Sequence, residues 1–187
     1  MTETLVRKLR DSGTLRWSML ALISISMMCG YIITDVVAPL KTMLEQPPLS
    51  WDSYDYGVFT SGYGWLNVFL LMLIFGGIIL DRMGIRFTGT TSILVMIAGT
   101  AIKFWAISTT FADPMISLPL GLVMKKQVLF AALGFAIFGV GVEMVGITAN
   151  KAVVKWFTGK ELALAIGMNT AMGRIGTLLA LNFAPKI

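Results

Sequence analysis

The chain has 187 residues, 56% of them hydrophobic and only 13% charged, and a formal net charge of +5. About a quarter of the residues in a soluble domain are charged, so this composition excludes an ordinary water-soluble globule. One cysteine and no histidine exclude a disulfide within the chain and remove the commonest general base and metal ligand. No metal, no cofactor and no enzymatic activity are expected, since an intramembrane hydrolase would lack a zinc-ligand cluster and a serine dyad.

Five apolar runs follow in chain order, roughly 17–39, 54–80, 89–111, 127–150 and 161–185. Each has about the 20 residues that a helix needs to cross a bilayer. Backbone groups in lipid must bond within their own segment, which selects helices, and the period-two alternation of a membrane barrel is absent. The expected fold class is an all-α membrane protein, with residues 1–16 as an N-terminal tail and 17–187 as a bundle of five transmembrane helices. The first run is too long for a signal peptide and has no small-x-small site close behind it, so it reads as a retained helix. Cys29 within it reads as a small buried apolar residue.

The first span ends on Tyr31-Ile-Ile-Thr-Asp35, with Asp35 on the helix face of Met28 and Tyr31. Asp35 either lines a path or caps the helix end. The second span carries Tyr63 and Asn67. Between the second and third spans stands Gly77-Ile-Ile-Leu-Asp81-Arg82-Met-Gly84-Ile-Arg86. A carboxylate at the C-terminus of a helix is disfavoured by the dipole unless a cation or another helix offsets it, so Asp81 should make a specific contact. Gly77 would allow a close helix crossing and Gly84 a tight turn. The third span holds Lys103, expected to snorkel towards the outer headgroups rather than touch a substrate. The connection 111–127 contains Pro114, Pro119 and Gly121. It is too short to span and reads as a surface-lying or irregular lid.

Glu143 in the fourth span shares its face with Gly139, Gly146, Ile147 and Asn150. Arg174 in the fifth shares its face with Gly167, Thr170, Ala171 and Thr177. An ionisable residue at a helix centre costs about 2.5–3.5 kcal/mol on insertion scales, so each should face a partner or a cavity. Two readings stand: an ion pair that pins two helices, or a site for a solute with both an amine and a carboxylate. In the second, Arg174 forks the carboxylate and Glu143 holds the ammonium. A depth difference of roughly 9 Å, at 1.5 Å per residue, suits a short zwitterion. Tyr31, Asp35, Tyr63, Asn67 and Asn150 are candidate wall residues.

Basic residues concentrate in the N-terminal tail and the second and fourth connections (Arg7, Lys8, Arg10, Arg16, Arg82, Arg86, Lys151, Lys155, Lys160), against Lys41, Lys125 and Lys126 in the opposite loops. The positive-inside rule then places the N-terminus in the cytosol. Because these charges flank bilayer spans, they are no nucleic-acid footprint. The sequence has no Asn-x-Ser/Thr site and no leucine pair in its tail, which leans towards a bacterial cytoplasmic membrane over a lysosomal one.

The run from Gly77 to Arg86 resembles the signature between the second and third helices of the major facilitator superfamily. The resemblance implies a cytosolic latch in which Gly77, Asp81, Arg82, Gly84 and Arg86 gate the transporter against its C-terminal half; Ile85 stands where a basic residue is often found. Tyr31–Asp35, Tyr63-Gly-Trp65-Leu-Asn67, Phe138-Gly139-Val-Gly141-Val-Glu143 through Leu162, and Met172-Gly-Arg174-Ile175-Gly176 resemble the superfamily's dipeptide-carrying branch. That implies transport of short peptides by alternating access, as uniport or facilitated diffusion, with Glu143 and Arg174 at the substrate-binding acidic and arginine positions. Phe135 takes a fourth-helix slot where the superfamily commonly has arginine. A proton-coupled carrier of another small organic solute and a non-transporting membrane scaffold are the alternatives. Superfamily transporters enclose substrate between two six-helix halves, so a chain of five helices is expected to be a fragment.

Overall fold

A computed structural model describes residues 12–117 and 123–183. The basic residues Arg7, Lys8 and Arg10 lie outside that range, as do Pro119, Gly121 and Pro185. Six helices and a two-stranded sheet are described: α1 (Gly13–Asp35), α2 (Lys41–Glu45), α3 (Ser53–Phe69), α4 (Met72–Ser108), β1 (Met115–Ser117), β2 (Val123–Lys125), α5 (Lys126–Phe157) and α6 (Leu162–Phe183). Among them α1, α4, α5 and α6 are long and apolar enough to cross a membrane. The protein is thus the expected all-α membrane type, with one small sheet added.

Several boundaries differ from the sequence reading. α1 stops at Asp35 rather than at Pro39, because Pro39 has no N–H for the carbonyl of Asp35 four residues back and its ring would clash with that carbonyl in a helix. The expected second span 54–80 is not one helix. α3 ends at Phe69, and Leu71, at φ 48°, turns the chain before α4 begins. The expected loop between the second and third spans is a break at one residue, Gly84, at φ 81° and ψ 170°, inside helical backbone. A residue with a Cβ rarely takes that conformation, so the expected turn at Gly84 is present, and Asp81 and Arg82 belong to the helix before it. α5 runs past Asn150 to Phe157, because Ala152, Val153 and Phe157 continue its buried face. The 111–127 connection, expected to be irregular, pairs Met115 with Lys125 and Ser117 with Val123 in antiparallel register.

The chain forms two compact units. Among the described residues the first comprises 12–39 and 146–183. Its frame is α1 against α6, where Ala165, Asn169, Gly173, Gly176 and Ala180 make a buried stripe. A Cβ on Gly176 would run into the Met28 carbonyl, so the two backbones meet through small residues, as lipid-embedded helices tend to. Leu20, Val153, Phe157 and Ala165 form a core under Trp17 and Trp156. Arg16, buried at the start of α1, pairs with Glu161 at 3.2 Å and lies over the Phe157 ring. Ser24 donates to Asn169 across α1 and α6 at 3.2 Å, both buried. Cys29 is exposed rather than buried.

The second unit, Leu40–Val145, is built on α5. Glycines bring three backbones together: a Cβ on Gly62 would lie 2.5 Å from the Ala132 carbonyl, one on Gly134 would lie 2.6 Å from the Lys103 amide, and one on Gly141 would lie 2.8 Å from the Ser92 carbonyl. α3 starts at a reciprocal cap, in which the Asp55 amide donates to Asp52 at 2.7 Å and the Asp52 amide to Asp55 at 3.2 Å, satisfying two otherwise orphaned N–H groups.

Candidate functional site

Within the second unit the structure brings three predicted site residues together. Gly139 on α5 faces α3 so closely that a Cβ there would lie 2.5 Å from the Tyr63 carbonyl and 3.1 Å from Asn67 Nδ2. That approach lets the Tyr63 hydroxyl donate at 2.8 Å to Oε1 of Glu143, which lies one helical turn beyond Gly139 on α5. Asn67 Nδ2 donates to the Tyr63 carbonyl at 3.1 Å, while its buried Oδ1 has no hydrogen-bond partner. A carboxylate held by a phenol within a helix of an apolar chain keeps acceptor capacity for a cationic group.

Beneath Tyr63 lies a row of rings. Phe135 meets Tyr63 edge-on at 5.5 Å, stacks on Phe59 at 5.3 Å and stacks on Phe138 at 6.0 Å, and Trp51 closes on Phe59 at 5.4 Å. Lys103 does not reach for headgroups as its position suggests. It is buried, with Nζ 4.7 Å from the Phe135 centroid and 5.3 Å from that of Phe138. Gly134 seats α5 directly on the Lys103 backbone, and the side chain lies over the rings that α5 carries.

Within the first unit, Tyr31, Asp35 and Arg174 fall along one contact between α1 and α6. Gly173 leaves room for the Tyr31 ring, whose Cε2 would lie 2.9 Å from a Cβ at that position. The Arg174 guanidinium lies 5.9 Å from the Tyr31 centroid, within cation–π reach, and remains exposed. One turn on, Thr177 donates to Asp35 Oδ2 at 2.5 Å. Asp35 thus takes a partner on α6, a role that neither of its sequence readings contained. Asn150 is exposed on α5 and belongs to the first unit.

Of the predicted gate, Asp81, Arg82 and Arg86 are exposed on either side of the Gly84 break. A Cβ on Gly77 would meet no atom within 4 Å, so among the described residues Gly77 makes no close crossing, contrary to expectation.

The sequence marks Lys125 only as a loop charge and gives Asp55 no role. Asp55, buried at the start of α3, pairs with Lys125 Nζ at 2.8 Å, and Lys125 also donates to the Ser50 carbonyl at 2.6 Å. The Asp-x-x-Asp cap was a readable signal; the pairing with a lysine on β2 was not.

The chain is similar to proteins named lysosomal dipeptide transporter MFSD1. The mouse (Mus musculus) protein is 29% identical over 175 residues, covering 86% of this chain and 32% of its own length. The zebrafish (Danio rerio) protein is 32% identical over 155 residues, 82% of this chain and 29% of its own length, and the human (Homo sapiens) protein is 28% identical over 155 residues. The chain therefore spans about a third of the length of the curated relatives it matches. No protein-family model matches it, and no solved structure does.

Proposed function

Because the chain is related by sequence to transporters of the major facilitator superfamily over most of its length, we propose that it forms part of a secondary transporter that carries short peptides. The observation that carries this reading is the Glu143 carboxylate, held at 2.8 Å by Tyr63 inside an apolar span. A charge there is costly, and a fixed phenol donor orients it for a second, cationic partner. In this reading Glu143 takes the peptide's ammonium, and Arg174, exposed beside Tyr31, takes its carboxylate as a bidentate fork. Tyr31, Asp35, Tyr63, Asn67 and Asn150 line the path. The C-terminal half of the transporter supplies the rest of the enclosure, and the halves rock about a midplane site. Gly77, Asp81, Arg82, Gly84 and Arg86 gate its cytosolic side, with the N-terminus in the cytosol.

The apolar ring of Phe135 in the arginine slot supports uniport over proton coupling. The test is uptake of a labelled dipeptide by the full-length protein in liposomes. Uptake should fall below a tenth of wild type in both Glu143→Gln and Arg174→Ala. Intact uptake in both variants would overturn the assignment of these residues, and uptake that collapses when the pH gradient is dissipated would overturn uniport.

A further inference from the structure

Lys103 is the one buried lysine among the described residues, and its position ties it to Glu143 through a continuous set of contacts. Its ammonium lies over two stacked rings, 4.7 Å from the Phe135 centroid and 5.3 Å from that of Phe138, where the negative faces of both attract it. Phe135 is also the ring that Tyr63 meets edge-on, at 5.5 Å and 60°. The Tyr63 hydroxyl in turn holds Glu143. All five residues belong to the second unit, and Gly134 and Gly139 fix the backbones on which Lys103 and Tyr63 stand.

We infer that Lys103 is a positioning residue for peptide recognition: through Phe135 it holds Tyr63 in place and so aims the Glu143 carboxylate at the substrate ammonium. Phe135 packs against rings on several sides, and the cation adds a directional attraction to those apolar contacts. The cation favours the ring plane that turns a face rather than an edge towards it, because the ring faces carry the negative end of the quadrupole. With a neutral side chain at 103 the ring loses that constraint, Tyr63 loses a fixed wall, and its hydroxyl no longer stays on Glu143. The amine end of the peptide is then recognised less well. Arg174 lies over Tyr31 and is no part of this set of contacts, so the inference concerns the amine end alone.

This inference rests on the proposed roles of Glu143 and Arg174. Its test is uptake of three forms of one dipeptide by the full-length protein in liposomes: free, N-acetylated and C-amidated. Wild type should prefer the free form over both. Lys103→Met should lower the preference for the free amine by about tenfold, the share of a hydrogen bond to a charged group, and leave the preference for the free carboxylate unchanged. Phe135→Leu should do the same with the lysine intact, and Lys103→Arg should keep both preferences. A merely structural lysine would lower transport of all three forms together, and that result, or an amine preference unchanged in Lys103→Met and Phe135→Leu, would overturn the inference alone. A wild type that carries the acetylated form as well as the free one would overturn the Glu143 assignment and this inference with it.

Discussion

The Tyr63 hydroxyl and the Glu143 carboxylate meet at 2.8 Å across α3 and α5, and the meeting depends on a third residue that touches neither functional group. Gly139 lies one turn before Glu143, and any side chain there would push the Tyr63 backbone away. The pair is thus a product of backbone approach, with the side chains following.

Tyr63→Phe isolates the hydroxyl, because the ring that packs on Phe135 at 5.5 Å is kept. A hydrogen bond to a charged group contributes about 1.5–3 kcal/mol, and 1.4 kcal/mol is about tenfold in an equilibrium constant. KM for a dipeptide should rise about tenfold in Tyr63→Phe, with a smaller change in kcat. Liposome uptake at varied peptide concentration by the full-length protein checks it; a wild-type KM would show that the hydroxyl does not serve binding.

The glycines should separate into two groups. Gly139→Ala puts a methyl group 2.5 Å from a backbone carbonyl, a contact that no rotamer change relieves, and overpacking costs about 1–3 kcal/mol. Gly77→Ala meets open space within a helix, where alanine is favoured over glycine by up to about 1 kcal/mol. Thermal unfolding of the full-length protein in detergent should therefore show Gly139→Ala melting several degrees below wild type and Gly77→Ala at or above it. A Gly77→Ala variant as unstable as Gly139→Ala would restore the helix crossing that the loop motif suggested.

The sequence exposed the cost of individual residues better than their pairings. Glu143, Arg174 and Asp35 stand out because an ionisable group in an apolar run is expensive, whatever it touches. Helical spacing then gives the face of each. It cannot give the neighbour, which is why Thr177 was visible on the Arg174 face while its bond to Asp35 was not. Lys103 shows the same limit: helical spacing gives its face but not the Phe135 and Phe138 rings of another helix that its ammonium lies over. The turn at Leu71 had no signal at all, since no glycine or proline marks it. Gly84 was legible because glycine is the residue that a positive φ favours.

Ser24 and Asn169, hydrogen-bonded at 3.2 Å and both buried between α1 and α6, should matter less than their burial suggests. Side-chain hydrogen bonds between membrane helices average about 0.6 kcal/mol in double-mutant cycles, because the separated helices also find partners. Ser24→Ala should lower the melting temperature by no more than a degree or two. The stripe of small residues carries more of the contact: Gly176→Val, whose side chain would enter the Met28 carbonyl, should be the more damaging of the two in the same measurement.

Asp55 and Lys125 make an asymmetric pair. The Asp55 side chain is 7% exposed and that of Lys125 is 29% exposed, so the carboxylate depends on the ammonium more than the reverse. The carboxylate also accepts the Asp52 amide that closes the cap of α3. Removing one partner of a buried pair costs about 3–5 kcal/mol, because a charge is left without compensation; the solvent reaching Lys125 puts this pair at about 3 kcal/mol or below. Lys125→Met strands the charge of Asp55 and should be the worst single change. Asp55→Asn keeps the shape, leaves the lysine a route to water and its bond to the Ser50 carbonyl, and should cost less. In the double variant no stranded charge remains, so it should melt above Lys125→Met. Melting of the three variants in detergent decides the point: a double variant at the sum of the two single losses would mean that the two residues do not act as a pair.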